Sequence, residues 1–460
     1  MKIAVEKPVQ LGQTVEITID NYGHEGEGVG RIEGFAVFIP EALKGETVRI
    51  RITEVRKNFA RGEVLEILKP ALERIKPPCP VYQQCGGCQL QHMNYSAQLA
   101  IKRQQVVDAV ERIGGLSGIT VHPVLGMKDP WYYRNKVQYP FGMDGGQTVM
   151  GFYRKGTHDI VNLDSCQLQP MVTNWVATKI RELAVKYQVS IYNEQTGTGL
   201  LRHLLIKKGF KTGEMMVVLV TNGPDFPDGP KIAAELMSAF PNVKSVVQNI
   251  NTNRGNVILG RETRVIAGEP TINDILDGLK FKISARSFFQ VNPEQAEVLY
   301  HKAVEYAGLT GTETVLDAYC GVGSLTLFLA RQAKEVYGIE VVPEAIRDAE
   351  ANAALNQLKN VRFLVGETEK VLPELVNQGV RFDVCVVDPP RSGCERSVLE
   401  SFAANGVGRI VYVSCNPSTL ARDLKILTEL GYEVREIQPV DMFPQTYHVE
   451  CVALMSRVDR

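Results

Sequence analysis

Apolar and polar residues alternate along Thr14-Val15-Glu16-Ile17-Thr18-Ile19, the signature of a strand with one buried face. Phe35–Ile39, Glu46–Ile52 and Val64–Leu68 also read as strands, and glycines at 23, 26, 28 and 30 punctuate the turn after the first one. Residues 1–68 therefore predict a small barrel of five short strands, of the OB type, with an SH3-like barrel as the alternative. The pattern then changes. Lys69-Pro70 and Pro77-Pro78 mark a linker, after which Leu99, Val106, Val110 and Ile113 share a helical spacing. They predict a helix over 96–113, opened by a Ser96 cap and stopped by Gly114-Gly115. Strands and helices mix without a repeat from about 125 to 283. From about 284 onward apolar strands alternate with helical stretches, the pattern of an α/β domain on a mostly parallel sheet. The expected fold class is α/β, with an N-terminal β-barrel and a central α+β domain.

Composition bounds this picture. A chain of 460 residues is too long for one core, so two or three domains are expected. With 44% hydrophobic and 22% charged residues it reads as an ordinary soluble protein, and no apolar run approaches the roughly 18–20 residues of a membrane span. The start, Met1 to Lys7, lacks the long apolar core of a secretion signal, so a cytoplasmic location and no membrane partner are expected. Nine cysteines in such a chain favour metal-binding or catalytic thiols over disulfides. A net charge of -1 does not announce a nucleic-acid binder, so RNA affinity would have to come from local basic patches. The candidates are Arg49, Arg51, Arg56, Lys57 and Arg61, then Arg202, Lys207, Lys208 and Lys211.

One stretch of the C-terminal domain carries the marks of a nucleotide-type ligand. Thr314-Val315-Leu316-Asp317 reads as a buried strand running through Ala318-Tyr319-Cys320-Gly321-Val322-Gly323 into a helix. Glycines at that turn let a ligand approach the backbone, and Glu340, about 20 residues on at the end of the next strand, is placed to accept ribose hydroxyls. The pattern fits a dinucleotide or S-adenosylmethionine, although Tyr319 stands where the first glycine of the dinucleotide fingerprint would be. Asp388-Pro389-Pro390-Arg391 ends a later strand in a stiff turn, at the sheet edge where such folds bind ligands. Arg391 replaces the aromatic residue that amino-group methyltransferases use to stack their base, which disfavours that chemistry.

Two further motifs lie near the C-terminus: Ser414-Cys415-Asn416-Pro417 and His448-Val449-Glu450-Cys451. A thiol and a carboxylate, both after strands, are the parts needed to alkylate a pyrimidine ring carbon. A thiolate adding to C6 makes C5 electron-rich enough to attack a methyl donor, and a base must then remove the C5 proton. A free cysteine is more often a buried inert thiol, and Cys320, Cys385, Cys394 and Cys451 keep that reading. Cys79, Cys85 and Cys88 form a C-x5-C-x2-C pattern, with Cys166 as a possible fourth ligand. Four thiolates suit zinc or an iron–sulfur cluster, and the three-plus-one spacing leans toward the cluster.

Taken together, Ser287-Phe288-Phe289-Gln290-Val291-Asn292, the Asp317–Gly323 turn, Asp388-Pro389-Pro390-Arg391, Ser414-Cys415-Asn416-Pro417 and His448-Val449-Glu450-Cys451 resemble the motifs of the class I RNA uridine-5 methyltransferases. Within that family the chain looks like the 23S ribosomal-RNA branch, over essentially its whole length. The resemblance implies a Rossmann-like catalytic domain, S-adenosylmethionine as donor, Cys415 as the nucleophile at C6 and Glu450 as the base at C5. It maps Gln290, Tyr319, Glu340 and Asp388 onto donor-contacting positions, and puts Phe288 near a flipped target base. Ser324 and Glu367 transfer less directly. It also implies that Cys79, Cys85, Cys88 and Cys166 hold a structural 4Fe-4S cluster and that the barrel is an RNA-binding TRAM domain. The implied domains are discontinuous: 1–68 the barrel, 69–94 with 126–283 the central domain, and 95–125 with 284–460 the catalytic domain. The implied partner is 23S rRNA, presenting a uridine from a loop or single strand to a monomeric enzyme. A tRNA T-loop methyltransferase, which typically lacks barrel and cluster, and a non-catalytic RNA-binding assembly factor are the alternatives.

Overall fold

The computed structural model describes residues 7–458; Met1–Glu6, within the stretch read for a secretion signal, lie outside them. The alternating N-terminal segments form β1 (Thr14–Tyr22), β2 (Gly28–Ile32), β3 (Phe35–Ile39), β4 (Thr47–Val55) and β5 (Phe59–Lys69), closed into a barrel in the order β1-β2-β3-β5-β4. The alternate positions Ile17, Ile19, Val48, Ile50 and Ile52 point inward and are buried. Gly28 and Gly30 lie in a strand rather than in the turn that their composition predicts. A Cβ on Gly30 would stand 2.6 Å from the Thr18 carbonyl oxygen and 2.7 Å from Ile17 Cδ1, so only glycine lets β2 approach β1 this closely. The barrel is tied to the linker by Arg74, whose guanidinium donates to both carboxylate oxygens of the fully buried Glu46.

The first helix, α1 (Tyr95–Arg112), starts earlier than its periodicity indicates. Asn94 is the cap, its Oδ1 accepting from the Ala97 N–H at 2.9 Å, and Ser96 instead bonds Asn94 from inside the first turn. A short strand, β6 (Thr120–Val121), follows. The next sheet contains β7 (Lys136–Asp144), β8 (Gln147–Tyr153), β9 (Ile160–Asn162), β10 (Leu201–Lys208), β11 (Met215–Thr221), β12 (Val243–Ile250) and β13 (Glu262–Gly268). Its order is β13-β12-β11-β10-β7-β8-β9, and α2 (Met171–Lys186) and α3 (Gly229–Ala239) pack against it. A hairpin, β14 (Ile272–Leu276) and β15 (Leu279–Ile283), leads into the C-terminal sheet.

That part alternates α4 (Pro293–Ala307), β16 (Thr314–Ala318), α5 (Ser324–Ala330), β17 (Glu335–Glu340), α6 (Pro343–Leu355), β18 (Val361–Val365) and α7 (Thr368–Asn377). It continues with β19 (Val384–Val387), α8 (Arg396–Ala404), β20 (Arg409–Ser414), α9 (Pro417–Glu429), β21 (Tyr432–Val440) and β22 (Glu450–Arg457). The sheet order is β18-β17-β16-β19-β20-β22-β21-β6. Strands β16 to β20 run parallel and read as near-continuous apolar runs because helices cover both faces. Only β22 is reversed against its neighbours, pairing antiparallel with β20 and β21. α1 packs on α9, and β6 extends the sheet beside β21. No helix among the described residues is long and apolar enough to cross a membrane.

A buried polar network joins α1 to the segment between β21 and β22. Lys102 and Asp441 are both fully buried, and Lys102 Nζ donates to Asp441 Oδ1 at 2.5 Å and to the Phe443 carbonyl at 3.0 Å. The Tyr95 hydroxyl donates to the other Asp441 oxygen at 2.8 Å. Gln98 and Gln445 exchange two further bonds of 2.9 and 3.0 Å. A charge removed from such a pair leaves its partner unpaired in a low-dielectric interior, at a cost of about 3–5 kcal/mol. Lys102→Met is therefore expected to lower stability by about that amount in urea denaturation. Adding Asp441→Leu should recover a large part of the loss; a double variant no more stable than the single one would show that the pair is not the cause.

Candidate active site

The carboxyl ends of the parallel strands meet at one edge of the sheet, and a cavity of 410 Å3 opens there. Gln290, Tyr319, Glu340 and Asp388 all line it, together with Phe288, Asp317 and Ser324. The turn after β16 is held in an uncommon conformation: Tyr319, Gly321 and Gly323 have φ of 66°, 54° and 80°. A Cβ on Gly323 would stand 3.1 Å from both the Ala349 Cβ and the Phe363 ring, so the turn needs glycine for packing as well as for φ. Glu340 ends β17 opposite this turn, and its Oε2 accepts the Gly321 N–H at 3.3 Å. Glu367 stands apart, exposed, at the start of α7 and paired with Lys370.

The segment carrying Phe288 and Gln290 is gripped by the middle sheet. Lys207, at the end of β10, is buried and donates to the carbonyls of Ser284 at 2.7 Å and Ser287 at 2.8 Å. Burial and the neighbouring Lys136 push its pKa down to about 7. Asn135 Nδ2 donates to the Gln290 carbonyl, and the Asn135 N–H to that of Val291, both at 2.9 Å. Within this grip Phe289 is buried and Phe288 is 64% exposed.

Cys415 follows β20 and Glu450 begins β22. The antiparallel register ends with Ser414 paired to Cys451, and Cys415 and Glu450 lie just beyond that rung, close enough for the Glu450 charge to raise the Cys415 thiol. Asn416 caps α9, its Oδ1 accepting from Ser418, and leaves Cys415 half-buried at the helix entrance. A cavity of 210 Å3 opens over Cys415, lined by His24 of the barrel, Gln105 of α1, Arg391, Tyr447 and His448. The Asp388–Arg391 turn serves both cavities, with Asp388 and Pro390 facing one and Arg391 the other. Nothing in the sequence pattern signals His24 or Gln105, because only the chain's long-range packing brings them here. Among the described residues no hydrogen bond joins His448 to Glu450; its ring lies against Tyr447 and Phe443.

Three acids at this edge, Glu450, Asp388 and Asp317, hold their protons unusually tightly. Burial, with Asp388 adding and Arg391 opposing, pushes Glu450 up to about 8. Burial alone takes Asp388 to about 6, and burial raises Asp317 to about 7 against the Thr326 hydroxyl bond. Burial and then the Glu450 and Asp388 charges lift Cys415 to about 11, with Arg391 opposing.

Cys79, Cys85, Cys88 and Cys166 are all half-buried, and burial followed by the neighbouring thiol charges raises Cys85, Cys88 and Cys166. Burial first, then the neighbouring thiols, takes Cys88 to about 12, and burial carries Cys166 to about 11. Among the described residues no group of three or more His, Cys, Asp or Glu side chains could hold a metal ion as placed. A cluster is wider than a single ion, so its thiolates need not converge on one point. Arg134 sits beside Cys88 and Cys166 with a buried Nε that has no hydrogen-bond partner, a donor suited to a cluster's negative charge.

The basic patches differ from the sequence reading. Arg49, Arg51, Arg56 and Arg61 each pair with glutamates on the barrel surface. Arg202 and Lys207 are buried, 4% and 5% exposed, and engage carbonyl oxygens, so they do not form a phosphate-gripping face. Charge patterning along a strand does not distinguish a solvated cation from one buried by a neighbouring loop.

Comparison with known proteins is consistent across the chain. Residues 233–458 match the family described as tRNA (Uracil-5-)-methyltransferase, and residues 8–65 match the TRAM domain. An uncharacterized RNA methyltransferase of Bacillus cereus is 50% identical over 460 residues, covering 100% of each chain. One from Clostridium acetobutylicum is 48% identical and covers 98% of this chain and 99% of its own length. Among solved structures, the Pyrococcus abyssi tRNA (uracil-54, C5)-methyltransferase in complex with S-adenosyl-L-homocysteine is 28% identical. It covers 96% of this chain and 100% of that one, with a TM-score of 0.77.

Glu450 makes a prediction about stability. Its folded pKa of about 8 exceeds the unfolded value of 4.5, so folding favours the protonated acid. The stability this contributes is fully present below about 4.5 and is lost as pH rises through about 8. Glu450→Gln, which cannot ionise, is expected to melt at a higher temperature than the unsubstituted protein at pH 9. That advantage should shrink steadily toward pH 5; a difference independent of pH would mean that Glu450 ionises freely in the folded chain.

Proposed function

We infer the reaction from one premise: this chain belongs to the RNA uracil-5-methyltransferase family, with a TRAM domain at its N-terminus. It is thus an RNA methyltransferase that uses S-adenosylmethionine. The finer reading is transfer of the methyl group to C5 of specific uridines in 23S rRNA, in the cytoplasm and as a monomer. The observation that carries the chemistry is the placement of Cys415 and Glu450 together just beyond the Ser414–Cys451 rung, beside the cavity that holds Gln290, Tyr319, Glu340 and Asp388.

In this reading the target uridine leaves its stack to enter the Cys415 cavity. Cys415 gives up its thiol proton to solvent, the thiolate Sγ bonds to C6, and the ring electrons move onto C5. S-adenosylmethionine supplies an electrophilic methyl group to that carbon. Glu450 takes the C5 proton, the C5–H electrons re-form the C5–C6 double bond, and the Cys415–C6 bond breaks. Asp388, Gln290, Tyr319 and Glu340 bind and orient the donor. Phe288, exposed at the mouth of the donor cavity, flanks the base. Tyr447 and His448 close the Cys415 cavity, and Arg391 offsets the charge that Glu450 acquires.

Cys79, Cys85, Cys88 and Cys166 would hold a 4Fe-4S cluster that ties the loop at 79–88 to the segment at 166, a structural role; their mutual proximity and the unpaired Arg134 Nε support it. The division into 1–68, 69–94 with 126–283, and 95–125 with 284–460 draws support from the pairing of β6 with β21.

One observation favours a second reading. The expectation that a tRNA T-loop enzyme lacks the barrel does not hold, because the Pyrococcus abyssi protein, named for tRNA uracil-54, covers 96% of this chain. Architecture therefore does not separate rRNA from tRNA as substrate. Mapping 5-methyluridine in a strain lacking the protein does: the modification is expected to vanish from 23S rRNA and persist in tRNA, and the reverse would transfer the assignment to tRNA.

Incubation with 5-fluorouridine RNA and donor is expected to trap a denaturation-resistant adduct that Cys415→Ala abolishes. Glu450→Gln should still add to the base but release unmodified-ring RNA slowly. Absence of any adduct would favour a non-catalytic binder, and rapid turnover in Glu450→Gln would remove the carboxylate from the proton-transfer step.

A further inference from the structure

A third cavity lies in the middle sheet and shares no lining residue with the two at the sheet edge. Its origin is a bulge in β10. Strand residues normally alternate between faces, so Arg202 and His203 should point apart. The pairing of β10 with β11 slips between Leu201 and His203, and both side chains line this one cavity of 570 Å3. Both are buried, at 4% and 7% exposure.

The two side chains retain unused hydrogen-bonding capacity. Arg202 Nη1 donates to the carbonyls of Asn251 at 2.6 Å and Asn253 at 2.8 Å, but its buried Nε has no partner. The buried His203 Nδ1 has none either. Burial and the Arg202 charge push His203 down to about 4, so its ring is neutral and offers one donor and one acceptor nitrogen. Unpaired groups of this kind are rare in a protein interior and mark a place where something else completes the bonding.

The remaining walls mix the rings of Tyr153, His158 and Tyr192 with the carboxylates of Asp144, Asp159 and Glu194. The Tyr192 ring lies 4.4 Å beneath the Arg202 guanidinium. Tyr153 and His158 stack with centroids 4.9 Å apart, and both reach the Glu194 carboxylate, at 3.3 and 2.8 Å. A carboxylate beside the cations disfavours a phosphate. Aromatic faces with mixed donors and acceptors at their edges match a nucleobase, which stacks on its face and hydrogen-bonds along its rim. The cysteine-rich loop braces this wall: the Gly86 N–H donates to the Tyr153 carbonyl at 3.1 Å, and Cys85 bridges Arg154.

We propose that this cavity takes one unstacked nucleobase of the RNA substrate, distinct from the methylated uridine, and so selects which uridine reaches Cys415. The proposal rests on the RNA-methylation reading above. It is tested by irradiating the full-length protein at 254 nm with an unmodified 23S rRNA transcript and mapping the cross-links by mass spectrometry. Cross-linked nucleotides are expected on Tyr153, His158 or Tyr192. Tyr192→Ala should raise the KM for the transcript about tenfold while kcat and the KM for the donor stay within about twofold. His158→Ala, at an exposed rim position where folding is not at risk, should raise the same KM in the same direction. A Cys415 adduct that forms normally without any cross-link in this cavity, or wild-type KM values in both variants, would overturn the proposal alone. Loss of both adduct and cross-link would overturn the 23S rRNA reading with it.

Discussion

One reversed strand organises the candidate site. In a parallel sheet every strand delivers its carboxyl end to the same edge, and that edge collects Asp317, Glu340, Asp388 and Cys415 from β16, β17, β19 and β20. Another parallel strand could bring only its last residue there. Because β22 runs antiparallel to β20, its first residue arrives instead, and Glu450 stands beside Cys415 just beyond the Ser414–Cys451 rung. The thiol and the carboxylate are far apart in sequence, yet the pairing of β20 with β22 brings both to the same end of the sheet. The buried Lys102–Asp441 pair then fixes the segment that feeds β22, so the helix at the chain's first third positions a residue near its end.

Concentrating acids at this edge has a thermodynamic consequence. Glu450, Asp388 and Asp317 are raised by burial, and Cys415 rests as a thiol under their influence. Ligands complete the arrangement: a cationic donor beside Asp388 would favour the charged forms that burial disfavours, and so couple donor binding to proton release from these groups. The folded chain holds groups whose charged forms are disfavoured until their partners arrive, which is the form that pre-organisation takes here.

The C-terminal domain was legible in the sequence because its strands are buried on both faces. Each reads as an apolar run, and the residues that close the run mark the ligand edge, which is how Asp388 and the Ser414-Cys415 pair stand out. The barrel was legible from its alternation, except where Gly28 and Gly30 form β2: glycine composition reads as a turn when the cause is close strand contact. Arg202 and Lys207 read as part of a surface basic patch, and the sequence marks nothing at Lys102; each is buried by a partner that is distant in sequence. Composition records a charge but not the carbonyl or carboxylate that packs over it. His24 and Gln105 carry no local signal at all, since their place beside Cys415 exists only once barrel, helix and sheet have docked.

β10 connects the two ends of the proposed recognition process. Arg202 and His203 at its start line the cavity assigned to a second base, and Lys207 at its end grips the carbonyls of Ser284 and Ser287. A strand rises about 3.3 Å per residue and transmits displacement stiffly, so these points are roughly 16 Å apart on one rigid element. A base seated at the bulge would draw Arg202 toward it, against the Asn251 and Asn253 carbonyls that otherwise hold it. The same shift bears on the segment that carries Phe288 to the target base and Gln290 to the donor cavity. Recognition of a neighbouring nucleotide and assembly of the methyl-transfer geometry would then be one mechanical event, transmitted by the sheet that clamps the loop lining the donor cavity.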